Sequence, residues 1–223
     1  MSPSPWLSVA LLVLVGAGFA LLNRRVTRRI GRSTDAFGAR DTAHDFVGRV
    51  YRIGGAALFL ALVAGAVRPD LDRALGLAPA LDRPVVAWAG VLLITAGGAL
   101  ILAAQHAMGA SWRIGLPDER TSLRTDGLFG VSRNPTFLGM LTLLVGAFLV
   151  APTALGAGVL AAAFVAFSVQ VRMEEEHLER LHGEPYRTYR AIVPRWLGRT
   201  RPSSRRETTG DASASPPASG ENS

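Results

Sequence analysis

The stretch TFLGMLTLLVGAFLVAPTALGAGVLAAAFVAFSVQV, Thr136 to Val171, contains no charged side chain. Its one interruption is Ala151-Pro152-Thr153, where proline removes a backbone donor and short residues favour a break. The stretch therefore reads as a helical hairpin made of two apolar segments. A helix on the surface of a soluble domain would carry a polar stripe on every turn, and these segments carry none. Three further blocks share this character: Trp6 to Leu22, Ile53 to Val67 and Val85 to Ala104. Each is near the ~20 residues that a helix needs to cross roughly 30 Å of hydrocarbon. The expected fold is all-α, a polytopic membrane helical bundle of about five transmembrane helices. It ends in the C-terminal hairpin and a short cytosolic amphipathic helix.

The block beginning at Trp6 lies close to Met1, as a secretory signal would. No Lys or Arg precedes it, and Asn23-Arg24-Arg25 stands where a small-residue cleavage site would be, so it reads as a retained span. Charge sets the sidedness. The first connection carries Arg24, Arg25, Arg28, Arg29, Arg32, Arg40, Arg49 and Arg52, which marks it as cytosolic and puts the N-terminus outside. The second, Arg68 to Arg83, balances Arg68, Arg73 and Arg83 with Asp70, Asp72 and Asp82. The third returns inside with Arg113, Arg120, Arg124 and Arg133, and the C-terminus is cytosolic. The formal net charge of +7 is thus spent on topology and lipid contact, not on nucleic acid. Within the hairpin, Ala154, Gly158, Ala162 and Ala166 form a small-residue stripe suited to close helix packing, within one chain or between copies in an oligomer. The residues after Arg199 lack bulky apolar side chains and are expected to be a disordered tail.

Several chemistries are excluded. Cysteine is absent, which removes disulfides, thiolate metal sites and cysteine nucleophiles. His44, His106, His177 and His182 do not have helix-face metal spacing, so no metal is expected. There is no GxSxG elbow and no GxxxxGK[ST] loop, and the Gly97-Gly98 pair lies inside an apolar block, not after a strand.

Three segments retain chemical interest, all on the expected cytosolic face. In Gln105 to Gly127, Trp112 suits an interface and Gly109 and Gly115 allow turns, while His106 either contacts a ligand or simply reaches the interface. In Gly127 to Met140, Asn134 is placed to cap a helix that starts with Pro135. Arg133 would stand at the positive end of that helix, as an anion-binding group or as an ordinary headgroup arginine. In Arg172 to Gly198, Glu174 and Glu175 follow an apolar helix directly and need partners, a bound cation among the candidates. Tyr186 and Tyr189 fall on one face of a short helix, with Ile192 and Val193 continuing it.

Together these segments resemble the isoprenylcysteine carboxyl methyltransferase family and the related phospholipid N-methyltransferases over roughly Ala103 to Leu197. The family carries a Gly/Ser-Trp segment, matched by Gly109 to Trp112. It then has G-x-[FY]-x-x-x-R-[HN]-P-x-[YF]-x-G, matched by Gly127, Phe129, Arg133, Asn134, Pro135, Phe137 and Gly139. After a helical hairpin comes E-E-x-x-L-x-x-x-[FH]-G-x-x-Y-x-x-Y, matched by Glu174, Glu175, Leu178, His182, Gly183, Tyr186 and Tyr189. Asn134 stands where histidine is usual and Phe137 where tyrosine is usual.

The resemblance implies a membrane enzyme that uses S-adenosyl-L-methionine to methylate a lipophilic or lipidated acceptor, most directly at a carboxylate oxygen. It implies catalytic roles for Arg133, Glu174 and Glu175. It implies cofactor contacts from His106, Gly109, Ser111, Trp112, Asn134, Pro135, Phe137, Leu138, Gly139, Glu175, Tyr186 and Tyr189. The chain divides accordingly into residues 1–83, N-terminal helices with an arginine-rich loop, 84–198, a methyltransferase-like membrane domain, and 199–223, the tail. The basic, alanine- and arginine-rich composition looks bacterial, with the plasma membrane as the location and membrane lipids as neighbours. Two alternatives remain open: an NADPH-dependent steroid- or sterol-type reductase, and a non-enzymatic transporter or sensor. The latter is poorly served, because the spans offer only Thr95, Thr142, Thr153, Ser168 and Gln170 as polar groups.

Overall fold

The structure is a computed structural model that describes residues 1–31, 43–70, 81–109, 112 and 123–197. The tail, Ser111, Arg32, Arg40, Asp72, Arg73, Arg113, Gly115 and Arg120 lie outside the described residues. The elements are α1 (Pro5–Ile30), α2 (Ala43–Val67), α3 (Pro84–Met108), a 3₁₀ turn (Gly127–Gly130), α4 (Pro135–Val150), α5 (Ala154–His182) and α6 (Glu184–Ile192). Among the described residues four helices are long and apolar enough to span a bilayer, namely Pro5–Arg29, Phe46–Val67, Pro84–Met108 and Ala154–His182, and they make the chain an integral membrane protein. The fifth expected pass, α4, has 16 residues and so measures about 24 Å, short of a full crossing.

Local chemistry sets the boundaries. Proline occupies the first turn of α1, α3 and α4, where its missing N–H costs nothing. The hairpin turns at Ala151-Pro152-Thr153, and the Thr153 side chain caps α5 by accepting from the Gly156 N–H at 3.1 Å. Helix α1 runs beyond its apolar block through Arg24 to Arg29, because arginine is a good helix former and cations suit a helix C-terminus. It stops at Gly31, which takes the left-handed conformation at φ 71°.

The tightest contact joins α3 to α4. A Cβ on Gly97 would lie 2.6 Å from the Gly139 carbonyl oxygen, and one on Gly146 would lie 2.6 Å from that of Gly90. The helices are therefore antiparallel, with backbones touching at two glycine pairs seven residues apart and Ile94 and Ala147 fully buried between them. Helix α1 runs parallel to α3, with Val15 on Gly98 and Leu102 3.1 Å from the Cβ position of Gly18. Helix α2 pairs with α5 through Val159 on Gly54 and Phe167 on Tyr51. Val9, Leu58, Leu62, Ile94 and Ala147 form the shared core.

The C-terminal ends of α1, α3 and α5 and the N-terminal ends of α2 and α4 thus meet at one end of the bundle. That end carries Arg24, Arg25, Arg28, Arg29, Arg49, Arg52, Arg124 and Arg133. Leu14, Leu60, Leu92 and Val165 are exposed along the helix sides, which suits surroundings that are themselves apolar. Most of the small-residue stripe does not pack within the chain. Ala154, Gly158 and Ala162 are exposed and only Ala166 is buried, because α3, not α5, makes the close glycine contact with α4.

Candidate functional site

Where α4 begins, the run Ser132-Arg133-Asn134-Pro135 delivers three polar side chains beside α5. The Glu175 carboxylate of α5 is their common acceptor, 4% exposed. Arg133 donates to its Oε1 from Nε at 3.2 Å and from Nη2 at 3.0 Å, and Asn134 Nδ2 donates to the same oxygen at 3.2 Å. Arg195 donates from Nη2 to Oε2 at 2.8 Å and from Nε to both oxygens. A buried carboxylate is tolerated only when it is paired and hydrogen-bonded, and here two guanidiniums do both. The partner cations that a glutamate at this depth requires are supplied by the chain itself.

Asn134 occupies the cap position of α4, but its side chain does not cap the helix, because its Nδ2 is committed to Glu175 and to the Arg195 carbonyl at 3.1 Å. Its backbone N–H donates instead to Ser132 Oγ at 3.1 Å. Arg133 meets its anion in Glu175, and its remaining nitrogen, Nη1, donates to the carbonyls of Arg190 at 2.9 Å and Val193 at 2.8 Å. The Arg133 N–H donates to the Pro194 carbonyl at 3.0 Å and Ser132 Oγ to that of Arg195 at 3.3 Å. The segment after α6 is thereby strapped across the start of α4.

Helix α6 buries Tyr186 and Tyr189, and Val193 directly after it, against Leu178 and Leu123. Ile192 was expected on the same face and is 66% exposed. It lies about 100° around the helix from Val193, which takes the inward position. Tyr189 donates to the Phe129 carbonyl at 2.7 Å, tying α6 to the 3₁₀ turn, and burial pushes its phenol up to about 12. Burial, and then the nearby Glu175 charge, raise the Tyr186 phenol as well. The Tyr186 hydroxyl is buried without a hydrogen-bond partner among the described residues. Hydrogen bonding to Glu175 raises the pKa of the Arg195 guanidinium, so it stays charged. Tyr189→Phe, which removes one buried donor, is expected to lower stability by about 1 kcal/mol, measurable as a lower melting temperature in detergent.

Glu174 is turned away from this network. Among the described residues its carboxylate accepts one hydrogen bond, from Gln170 Nε2 at 3.0 Å. Gln170 and Glu174 continue the face of α5 that carries Ala163 and Phe167. Those two residues line an apolar cleft of about 160 Å³ whose other walls include Tyr51, Ile101, Met140 and Leu143. Phe137 packs on Phe167 at 5.4 Å between ring centres, and Tyr51 does so at 5.9 Å.

The remaining sequence candidates divide into groups. Arg133, Asn134, Glu175, Tyr186 and Tyr189 stand together, with Pro135 buried beside them. Gly139 faces α3, its missing Cβ leaving room for the Gly97 carbonyl, and the Leu138 carbonyl accepts from Thr142. His106 is exposed at the end of α3. Gly109 ends α3 with φ 51° and ψ −122°, and Trp112 is buried against α1. Sequence reasoning passed over Ser132 and Arg195, and weighed Gln170 only as a polar group within a span. The signal for Arg195 was its place after the two tyrosines, in a segment already tied to a glutamate that needed cations.

Residues 85–185 match the model of the phospholipid methyltransferase family. No curated protein and no solved structure matches the chain.

Proposed function

We propose that the chain is a membrane methyltransferase that takes its methyl group from S-adenosyl-L-methionine and gives it to a lipophilic acceptor. The observation that carries this reading lies within the matched residues: Arg133, Asn134 and Glu175 form a charged cluster, and the adjacent Glu174 continues the face of α5 whose Ala163 and Phe167 line an apolar cleft. The donor set fits the cofactor's ammonium, carboxylate and hydroxyl groups. Glu174 has acceptor capacity left, the Tyr186 hydroxyl is unpartnered, and Arg195 is one-third exposed. When bound, the cofactor supplies an electrophilic methyl group on a sulfonium.

The chain's own work is binding, alignment and exclusion of water. Glu174 holds the cofactor's cationic or hydroxyl side. The Arg133–Glu175–Arg195 cluster keeps the start of α4 and the segment after α6 in register. Two guanidiniums face one carboxylate within the cluster, and the adjacent Glu174 supplies the balancing anion. The cleft takes the hydrocarbon part of the acceptor directly from the bilayer. The positive-inside rule favours this arginine-rich end in the cytosol and the N-terminus outside, and the bacterial-looking composition favours the plasma membrane as the location.

The resemblance favours a carboxylate oxygen as the methyl acceptor. The matched family's name supports a second reading, an amine of a phospholipid headgroup. Membranes containing the chain, given cofactor with a labelled methyl group, are expected to place label in solvent-extractable lipid. Glu174→Gln, which keeps the bond to Gln170 but loses the charge, is expected to reduce incorporation about 10- to 100-fold. A methyl ester releases labelled methanol in alkali and an N-methyl group does not, so the same product decides the acceptor atom. Lipid without label above vector membranes would count against the proposal.

A further inference from the structure

We infer that α2, which lies outside the matched residues, sets which acceptors fit: Gly54 and Gly55 open the apolar cleft to one slender hydrocarbon chain and not to a fused-ring skeleton. The inference rests on reading the cleft as the acceptor's site.

Glycine is costly inside a helix, and two stand side by side in α2. The facing glycines of α3 and α4 are explained by backbones in contact, and those of α2 are not. A Cβ on Gly54 would meet only the Val159 side chain, at 3.7 Å, and one on Gly55 would meet nothing within 4 Å. Both glycines line the cleft, together with Tyr51 one turn before them and the small residues Ala162 and Ala163 of α5. What the missing side chains leave is therefore space between α2 and α5, not a closer approach of the two helices.

Gly55 and Ala162 are exposed, so the cleft opens sideways, at a depth where the surroundings are hydrocarbon and not water. From Val159 to Phe167 it follows α5 for about 12 Å. Its volume of about 160 Å³ is close to the ~150 Å³ at which a dry apolar cavity takes a single benzene ring. That length and volume suit one extended chain, with the rest of the acceptor left in the lipid. A rigid fused-ring skeleton is too broad for the same space. Because nothing lies within 4 Å of the Gly55 Cβ position, a larger side chain there enters open space and meets no backbone.

The test uses the full-length chain in phosphatidylcholine vesicles, photolysed with a palmitic acid analogue that carries a mid-chain diazirine. Mass spectrometry is expected to find label on Met140 and Phe167, competed by excess palmitic acid. In Gly55→Leu that label is expected to fall about tenfold. Gly55→Ala is expected to lose about threefold, and it decides the question if the leucine variant does not fold. Gly16→Leu adds the same side chain in open space away from the cleft and is expected to label as wild type does. A diazirine sterol is expected to label Met140 and Phe167 at least about tenfold less than the chain probe. Cleft labelling that resists competition, that is unchanged in the Gly55 variants, that falls equally in Gly16→Leu, or that is as strong with the sterol would overturn the inference. These arms need no cofactor. If wild-type membranes place no methyl label in lipid, the methyltransferase reading fails instead, and the labelling still decides what the cleft holds.

Discussion

Glu175→Ala is expected to abolish methyl transfer and to lower stability by about 3–5 kcal/mol, the cost of leaving a buried charge unpaired. Most of that cost belongs to Arg133, whose side chain is 9% exposed, since Arg195 at 33% can turn to water. The loss also frees Asn134 Nδ2 and loosens the strap that holds the carbonyls of Arg190, Val193, Pro194 and Arg195 against the start of α4. Removing both charges at once, as Arg133→Met with Glu175→Leu, is expected to recover part of the stability, because no buried charge is left unpaired, while the Arg190 and Val193 carbonyls still lose their Arg133 donor. It should not recover turnover. Thermal unfolding in detergent alongside methyl transfer separates the two effects, and an Glu175→Ala variant melting with wild type would contradict the assignment of Glu175 as the hub.

Gly97→Val is expected to prevent recovery of folded protein, at a cost beyond the ~1–3 kcal/mol usual for overpacking. The first added carbon would lie 2.6 Å from both the Gly139 carbonyl oxygen and the Leu143 nitrogen. Those are backbone atoms, so no rotamer change relieves the clash and α4 would have to move as a whole. Gly139 would then carry Asn134 and Arg133 away from Glu175. Gly16→Ala is the matched control, because nothing lies within 4 Å of its Cβ position. It is expected to be neutral or stabilising by up to about 1 kcal/mol. A Gly97→Val protein with wild-type yield and melting temperature would contradict the close α3–α4 contact.

The helices were legible in the sequence because hydrocarbon imposes one rule on every span, and a break such as Ala151-Pro152-Thr153 stands out against it. Their partners were not. Gly97 and Gly98 lie side by side in the sequence, yet Gly97 opens toward Gly139 and Gly98 toward Val15, and only the register between helices distinguishes them. The stripe Ala154 to Ala166 has the spacing of a contact face, but small residues permit close approach without requiring it. Helix α1 outran its apolar block because a change of polarity marks the membrane boundary, not the end of a helix.

At the site, the order of motifs brought out Arg133, Asn134, Glu175 and the two tyrosines, which do stand together. Their contacts depended on long-range geometry. Asn134 looked like a helix cap, since the residue before Pro135 usually is one, and the buried Glu175 carboxylate claimed its side chain instead. The adjacent glutamates could not be separated by sequence. One residue along a helix turns the side chain by about 100°, enough to place Glu175 between two arginines and Glu174 on the cleft's own face. That division makes Glu174, not Glu175, the informative position for testing cofactor binding, because Glu174→Gln leaves the charged network intact.

Calorimetric titration of the detergent-purified chain with S-adenosyl-L-methionine, and separately with NADPH, is the most direct test of the methyltransferase reading. Saturable binding of the sulfonium cofactor, weakened roughly tenfold or more in Glu174→Gln, is the expected result. Binding of NADPH alone, or of neither, would contradict it.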